Sequence, residues 1–402
     1  MRIRAVTVAS VLAISLAAPA QAADRRPDIA ADWLTRTIET VAVTGPFDGD
    51  RAWAIAWLSA SRAIRTPGRP AFQDAAVATA VHDVLATLVP DRKDTLDTAL
   101  ATSLAAIPDG PGEQAGIRAG QRAAARTLAE REGDGLDLAS VNRPFTPPPP
   151  APGVYRLPPD ATATVGAGLG EARPFLLDRA DRYRPGPPPA VGSRTYRRDL
   201  DEVRRYGSAT STDRTREQTD LGLLWAQSPL AAYTNVLRPL VADRGRTLTW
   251  KVNLLAAFTT AAIDTSIAVS EAKFTYLRWR PVTAIREADG DPATEPNPTW
   301  TPLLPTPPGP EYPSAHAAWA GAAEQVLEHF TGARTPVAFT ISTTVDGRVI
   351  TRDYPRGTRW SALTQENIDA RVWVGAHYRT SDTTGAGLGR RVGDHDLRVL
   401  NG

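Results

Sequence analysis

More than half of the 35 prolines in this chain of 402 residues lie in three dense segments that divide the sequence. They occupy residues 143–159, with four consecutive prolines at 147–150, residues 184–189 and residues 291–312. Proline lacks an amide hydrogen and fixes its own φ angle, so such segments form neither a regular helix nor a central strand. We expect stiff connections that lie over the surface, with the regular structure confined to the sequence between them.

The sequence between the proline segments carries apolar residues at helical spacing. The pattern covers residues 27–134, returns at 221, is strongest over 249–279, and recurs over 315–330, 366–377 and 385–391. Gly116 and Gly120 lie one turn apart, which favours close packing of helices. Residues 340–353 alternate around Asp346-Gly347 and predict a short hairpin. The predicted fold class is all-α, a helical bundle with long proline-rich loops and at most one short β-hairpin.

The first 23 residues predict a secretory signal peptide. Arg2 and Arg4 form a basic start, residues 6–16 an apolar run, and Ala20-Gln21-Ala22 a cleavage site. The mature protein is therefore expected to be secreted and extracellular. The rest of the chain divides into an N-terminal helical region (24–142), a proline-rich connector (143–220) and a helical core that carries the candidate site (221–402).

The composition excludes several classes of partner. A net charge of +2 gives no reason to expect nucleic acid or an anionic membrane. After residue 23, no stretch reaches the roughly 20 apolar residues that span a bilayer. Without cysteine there is neither a disulfide nor a thiolate metal site. Met1 is the single methionine. The lack of other sulfur-containing residues has two possible explanations, a compositional bias and protection from an oxidant made at the site, and both stay open. The oligomeric state is not indicated.

Lys273 and Arg280 are the first pair of candidate anion-binding residues. The chain has three lysines among its 46 lysines and arginines, so a lysine here suggests a need for a compact positive charge. A spacing of seven residues predicts that both side chains leave one face of one helix, which Pro281 would end. Two neighbouring cations repel each other unless an anion lies between them, although a solvated basic face has the same pattern.

Ser314 and His316 form the second candidate group. Ser314 lies between Pro313 and the start of a predicted helix, so it is expected to be the N-cap. Its hydroxyl and the amide of Ala315 would then lie at a helix N-terminus, where unpaired N–H groups and the helix dipole attract anions. His316 would lie in the first turn beside such an anion. A capping serine followed by a histidine is also common without any function.

Arg371 and His377 form the third group. They are six residues apart and cannot share a helical face, but they can converge if the helix ends between them. Gly375 makes such an end plausible because glycine readily adopts the left-handed conformation that follows a helix. Taken alone, His377 is equally consistent with an ordinary residue at a helix end.

Two other patterns are interpreted as structural. Asp394-His395-Asp396 has the residue types of a metal cluster, but we expect a solvated C-terminal segment. Gly385-x-Gly387-x-Gly389 has the spacing of a nucleotide loop, but no strand precedes it, so it predicts close helix packing.

In this order, the three groups resemble the superfamily of vanadium-dependent haloperoxidases and type 2 phosphatidic acid phosphatases. The family pattern is Lys-x6-Arg-Pro, then Pro-Ser-Gly-His, then Arg-x5-His, and this chain has Ala315 at the glycine position. The sequences around Arg280 and around Ser314 look like the secreted bacterial haloperoxidase-like branch. The likeness runs from about residue 52 to 393. Membrane phosphatases share the motifs but carry them on spanning helices.

The resemblance implies a helical bundle with the site between its helices. Lys273, Arg280 and Arg371 would bind the equatorial oxygens of vanadate or phosphate, and Ser314 and the amide of Ala315 would add hydrogen bonds. His377 would be the metal ligand of vanadium, or the nucleophile that forms a phosphohistidine. His316 would be the acid/base.

Two further positions depart from the family pattern. Asp382 lies one residue beyond the position at which the phosphatase pattern has the aspartate that orients the second histidine, and it is the candidate for that role here. Gly309 stands where haloperoxidases often carry a phenylalanine or a histidine near the halide.

Three functions follow from these expectations. The first is a vanadate-dependent haloperoxidase that oxidises halide with hydrogen peroxide. The second is a secreted acid phosphatase that acts on phosphomonoesters through His377, and the third is a weakened oxyanion-binding protein. The phosphatase and the peroxidase can share one site because vanadate adopts the trigonal-bipyramidal geometry through which a transferring phosphoryl group passes.

Overall fold

The computed structural model describes residues 28–65, 68–159, 161–287, 290–291 and 294–401. The predicted signal peptide lies outside these residues. The described residues form helices α1 (Ile29–Val41), α2 (Pro46–Ala63), α3 (Pro70–Leu88), α4 (Lys93–Ala105), α5 (Pro111–Glu130), α6 (Leu138–Val141), α7 (Arg194–Tyr206), α8 (Arg216–Leu224), α9 (Pro229–Ala242), α10 (Leu248–Tyr276), α11 (Pro281–Arg286), α12 (Ala315–Thr331), α13 (Trp360–Trp373) and α14 (Arg379–Asn401). The predicted all-α class is confirmed.

The predicted hairpin is the one sheet of the described residues. Strands β1 (Phe339–Val345) and β2 (Arg348–Tyr354) pair antiparallel, with Val345 opposite Arg348. Asp346 and Gly347 have φ angles of 49° and 76°, so both adopt the left-handed conformation that a two-residue hairpin turn requires. Phe339 stacks on Trp360 at the start of α13, and this contact fixes the hairpin to the bundle.

Helix α10 is the central helix of the bundle. It packs against α2, α12 and α14. It is also the one helix among the described residues that is long and apolar enough to cross a bilayer, yet 89% of its most apolar stretch is buried inside the protein. Its hydrophobicity is therefore that of a core helix, and this core joins the N-terminal helices directly to the C-terminal ones.

Glycines let α12 and α14 approach closely. A Cβ atom at Gly389 would lie 1.8 Å from the carbonyl oxygen of Ala318, and one at Gly385 would lie 2.3 Å from that of Ser314. The interpretation of these glycines as packing residues is confirmed. Gly116 and Gly120 do the same for α5 against α3, where a Cβ would meet the backbone of Phe72 or Ala76.

The predicted connector is more ordered than its prolines suggest. The described residues of 143–193 contain two 3-10 turns, Leu169–Glu171 and Ala180–Tyr183. The rest of the range 143–220 includes two α-helical parts, all of α7 and the first half of α8. The range 143–220 therefore carries helical structure as well as proline-rich segments. Tyr196, Leu200 and Val203 form the buried face of α7 at spacings of four and three residues. The division into domains remains a prediction.

Candidate oxyanion-binding site

Lys273 and Arg280 do not share a helix, so this part of the sequence interpretation was wrong. Helix α10 ends at Tyr276, and Leu277 follows in the left-handed conformation with a φ of 46°. Arg280 is the N-cap of α11, which Pro281 begins rather than ends. The turn at Leu277 was not predicted because leucine rarely adopts a positive φ. The two cations still reach one cavity from consecutive helices.

Both cations are held by backbone carbonyl groups. The Nζ of Lys273 donates to the oxygens of Pro310 (2.6 Å) and Glu311 (2.9 Å). The Nε of Arg280 donates to the oxygen of Gly309 at 2.8 Å, and Nη1 donates to that of Ala376 at 3.0 Å. The proline-rich loop before α12 therefore fixes both positive groups without neutralising either of them.

Ser314 is the N-cap of α12, as predicted, with a φ of −71°. Its hydroxyl makes no capping bond and, among the described residues, no hydrogen bond of any kind, although it is fully buried. Ala315 is the first residue of the helix, and its φ angle is not positive. An alanine therefore fits the position at which the family pattern has glycine, and the amides of the first turn remain free of helix partners.

Helix α13 ends between Arg371 and His377, as predicted. Gly375 has a φ of 79°, and a Cβ there would lie 2.8 Å from both the carbonyl oxygen of Gly207 and the Cβ of Pro302. The amide of Ala376 donates back to the carbonyl oxygen of Arg371 at 3.1 Å, which closes the helix end. The chain then turns, so that His377 reaches Arg280 and lines the cavity.

Glu311 orients His377, a contact that the sequence analysis missed. The Nδ1 of His377 lies 2.8 Å from the Oε1 of Glu311, and Oε1 also accepts from the amide of Tyr378 at 3.1 Å. The Nη1 of Arg280 lies 3.1 Å from the Nε2 of His377. Because a guanidinium only donates, Nε2 must accept, and the ring proton must lie on Nδ1. The lone pair of Nε2 is thereby directed into the site.

Asp382 does not contact His377, so the orienting role proposed for it belongs to Glu311. It is fully buried in the first turn of α14, and neither carboxylate oxygen has a hydrogen-bond partner among the described residues. Burial raises the pKa of Asp382 well above its ordinary value, and a weaker interaction with the nearby Ser314 hydroxyl opposes this without reaching hydrogen-bond geometry. Its negative charge, when present, would act on Arg371.

Arg371 is the least satisfied cation of the site. It is 3% exposed, and its side chain forms no ion pair and no hydrogen bond with the residues that the structure describes. Burial lowers its pKa to about 10, and Arg280 adds to this while Asp382 opposes it. A buried guanidinium without partners is costly, which indicates that an anion belongs beside it.

His316 also has an unpaired buried atom. Its Nε2 has no partner among the described residues, while the backbone of Gln227 favours a proton on the ring. Burial, followed by the charge of Arg371, lowers the pKa of His316 well below its ordinary value. For His377 burial has the same effect, and Arg280 adds to it. Both histidines are therefore neutral at physiological pH, ready to accept a proton or to act as a ligand.

The remaining charges of the site also depend on burial. Burial lowers the pKa of Lys273 well below its ordinary value, and the positive charge of Arg280 lowers it further. Burial raises the pKa of Glu311, while Lys273 and Arg280 oppose that rise. A bound oxyanion would stabilise the charged form of Lys273, because an opposite charge favours ionisation.

The site opens into a cavity of about 430 Å³. Lys273, Arg280, Ala315, His316 and His377 line it, as does Gly309. A Cβ at Gly309 would meet the carbonyl oxygen of Val165 at 3.4 Å, which is an ordinary contact. The glycine therefore leaves space on the cavity wall that a larger side chain would fill.

The donor set suits a tetrahedral oxyanion and not a metal cation. Three cationic side chains, a free hydroxyl and the amides at a helix N-terminus all present positive charge or hydrogen atoms. Across the described ranges, no group of three His, Cys, Asp or Glu residues could hold a metal ion. Asp394-His395-Asp396 does not form such a group. The expectation that this segment is solvated was wrong, since His395 and Asp396 are 9% and 0% exposed.

These features define a helical bundle with a buried candidate site for an oxyanion between its helices. Residues 253–401 match the family model described as the VCPO second helical-bundle domain. The predicted resemblance to the vanadium haloperoxidase and type 2 phosphatase superfamily is thereby confirmed.

Solved structures extend the likeness over most of the chain. A bacterial vanadium-dependent iodoperoxidase aligns with a TM-score of 0.74 at 20% identity, over 92% of this chain and 95% of that one. The holo form of a bacterial vanadium-dependent chloroperoxidase aligns with 0.70 at 19% identity, over 90% and 94%. The apo form of a bacterial chloroperoxidase aligns with 0.70 at 17% identity, over 89% and 94%. No curated protein matches the sequence. At these identities the structures show a shared fold.

Proposed function

We propose that this protein is a vanadate-dependent haloperoxidase. The observation that supports this most strongly is Arg371, a buried guanidinium that lacks any partner in the described parts of the chain. The free hydroxyl of Ser314 and the free Nε2 of His316 are two more unpaired buried groups near it. A single tetrahedral oxyanion would satisfy all three, whereas a halide ion is too small to do so.

The residues present fit vanadate. Lys273, Arg280 and Arg371 would hold its negative oxygens, and Ser314 and the amide of Ala315 would donate further hydrogen bonds. His377 would be the ligand, because its Nε2 carries the lone pair. When bound, vanadate supplies a Lewis acid that polarises hydrogen peroxide toward attack by halide.

The two histidines have different roles in this proposal. Glu311 fixes the tautomer and ring orientation of His377, and such a contact makes a ligand nitrogen more basic. His316 is neutral and its Nε2 is free, so it can accept a proton from hydrogen peroxide. The cations lower the cost of negative charge throughout, because they are held in place before the reaction begins.

A phosphatase remains the second candidate, and the geometry of His377 favours it specifically. A neutral histidine that carries its lone pair on Nε2 and a carboxylate on Nδ1 is also the arrangement of a histidine nucleophile. His377 would take the phosphoryl group of a phosphomonoester. His316 would first take up the proton of the substrate's phosphate monoanion and then pass it to the leaving alkoxide. A weakened oxyanion-binding protein is the third candidate, and the helical backbone of Ala315 removes one reason to favour it.

Two assays on one preparation separate these functions. Iodide oxidation by hydrogen peroxide should appear when vanadate is added to vanadate-free protein, and an excess of phosphate should suppress it. If the protein instead cleaves a phosphomonoester, is inhibited by vanadate and oxidises no iodide, bromide or chloride, the peroxidase proposal is wrong. His377→Ala should abolish either chemistry, and the exposed His329→Ala is the matched control.

We also propose that the protein is exported. The mature chain would begin at Asp24, directly after the predicted signal peptide of residues 1–23. Mass spectrometry of protein collected from the medium of an expressing culture measures the new N-terminus directly. Intact protein that begins at Met1 and stays with the cells would contradict export.

A further inference from the structure

Asp50 is an acidic residue on the wall of the cavity that the oxyanion site does not use. It lies in α2, one turn after Phe47, and lines the same cavity as His316 and His377. Among the described residues it has no ion pair and no hydrogen bond. Burial alone raises its pKa to about 7, and no cation is near enough to oppose this.

The packing of α2 against α10 determines which turn of α10 lies opposite Asp50. Ser61 bonds Asn253 at 2.9 Å, and Ala54 lies in one buried cluster with Ile263 and Ile267. The two helices are therefore antiparallel, since later residues of α2 meet earlier residues of α10. Continuing this register, Asp50 lies opposite the last turns of α10.

Lys273 occupies one of those last turns but does not neutralise Asp50. The two side chains line the same cavity without an ion pair between them. Lys273 is instead held by two backbone carbonyl groups. The cavity thus has a cationic end, formed by the oxyanion site, and a separate carboxyl group on its wall.

Most of the remaining cavity lining is apolar. Val165, Leu169, Val269, Phe274 and Trp319 line it together with prolines of the loop before α12. A volume of about 430 Å³ is far more than a halide ion or hydrogen peroxide needs, and it is in the range of small-molecule sites. An unpaired carboxyl group in such surroundings is costly unless a ligand satisfies it.

We propose that this cavity binds an organic ammonium compound, with its ammonium group on Asp50 and its apolar ring or chain against Trp319 and Phe274. Charge fixes the orientation: the carboxylate attracts the ammonium group, and the cations of the oxyanion site repel it. The proposal that this compound is the organic substrate rests on the proposed function. Binding of the compound requires neither vanadate nor peroxide.

Calorimetric titration of phenethylamine into vanadate-free protein at pH 8, with phosphate present to occupy the oxyanion site, tests the proposal. We expect wild type to bind phenethylamine and to prefer it to the carboxylate analogue 3-phenylpropionate. Asp50→Asn should weaken the binding of phenethylamine by about tenfold or more, since a charged hydrogen bond is lost. Asp48→Asn, in the first turn of the same helix but outside the cavity lining, should leave it unchanged.

Three results would overturn the proposal. They are no binding by wild type, equal binding by Asp50→Asn, or equal loss in Asp48→Asn. The melting temperature of Asp50→Asn should be at least that of wild type, so a folding defect will not mimic the expected loss. If the protein binds phenethylamine but oxidises no halide, the proposed function is contradicted and this inference is not. If it oxidises halide but does not bind phenethylamine, this inference is contradicted and the proposed function is not.

Discussion

Glu311 and His377 are 66 positions apart in the sequence, yet their Oε1 and Nδ1 atoms lie 2.8 Å apart in a fully buried pair. The backbone oxygen of the same glutamate accepts a hydrogen bond from the ammonium group of Lys273. One residue therefore connects the histidine that would hold or attack the central atom to a cation that would bind its oxygens. The loop before α12 organises the site as much as the helices do.

Replacing Glu311 by glutamine should loosen this arrangement. The amide keeps the shape of the side chain but can place its NH₂ group toward Nδ1 and so disfavour the tautomer that has its lone pair on Nε2. We expect vanadate binding to weaken by roughly 10–100-fold. Calorimetry with vanadate measures this, with the exposed Glu217→Gln as the control. Unchanged affinity in Glu311→Gln would show that this contact does not support the site.

His316→Ala should separate binding from turnover. His316 is proposed to move a proton and not to hold the oxyanion, so vanadate affinity should stay within a few-fold of wild type. Turnover should fall by about 10²–10⁴-fold, the usual contribution of a general base. Steady-state iodide oxidation at saturating vanadate measures the loss. A large loss of vanadate affinity with normal turnover of the loaded protein would reverse the two roles.

Arg371→Met should stabilise the oxyanion-free protein. The guanidinium is buried without partners, so an apolar side chain of similar length removes an unmet cost of roughly 1–2 kcal/mol. Urea unfolding in buffer without phosphate or vanadate measures the free energy of unfolding, and the variant should also lose the stabilisation that these anions give wild type.

The control for Arg371→Met is Arg214→Met. Arg214 donates to the carbonyl oxygens of Ser208 (2.8 Å) and Trp373 (3.2 Å), so its loss should destabilise the protein. If Arg371→Met is as destabilising as Arg214→Met, then Arg371 is a structural residue and the oxyanion proposal loses its main support.

A buried pair of carboxyl groups should make stability depend on pH. Burial raises the pKa of Asp264 to about 6. The amides of Phe175, Leu176 and Leu177, which donate to its carboxylate at 2.6 to 2.9 Å, oppose that rise. Burial and the charge of Asp264 raise the pKa of Asp396 well above its ordinary 3.8. Because the folded pKa of Asp396 exceeds the unfolded one, its contribution is full below about pH 4 and is lost as pH rises through the folded pKa.

Asp396→Asn should therefore reduce the fall in stability above about pH 4. Urea unfolding of wild type and variant from pH 4 to 8 measures the difference, which should grow in favour of the variant as pH rises. Asp394→Asn, an ion-paired and more exposed neighbour in the same helix, is the control. A constant difference across this range would show that Asp396 does not titrate with folding.

Local signals made some of this structure predictable from the sequence. The backbone preference of a single residue or pair marks a helix end at Gly375, a helix start at Ser314 and a hairpin turn at Asp346-Gly347. All three features occur as predicted. The break at Leu277 has no such signal, so the helix over Lys273 and Arg280 was extended too far.

Contacts between distant residues were not predictable in the same way. The choice of Asp382 over Glu311 as the partner of His377 followed from sequence proximity, whereas the pairing depends on how the loop before α12 meets the end of α13. The position of Glu311, three residues before the predicted N-cap Ser314, was the one available hint. Asp50 lies 223 residues before Lys273, and nothing in its sequence neighbourhood marks it as a cavity residue.

Titration of vanadate-free protein with vanadate, followed by iodide oxidation in each sample, tests the central proposal most directly. We expect no oxidation at the start, a rise that saturates at one vanadate per chain, and loss of that rise in both His377→Ala and Arg371→Met. The proposal is contradicted if oxidation stays at the level of the buffer control after calorimetry shows that one vanadate has bound.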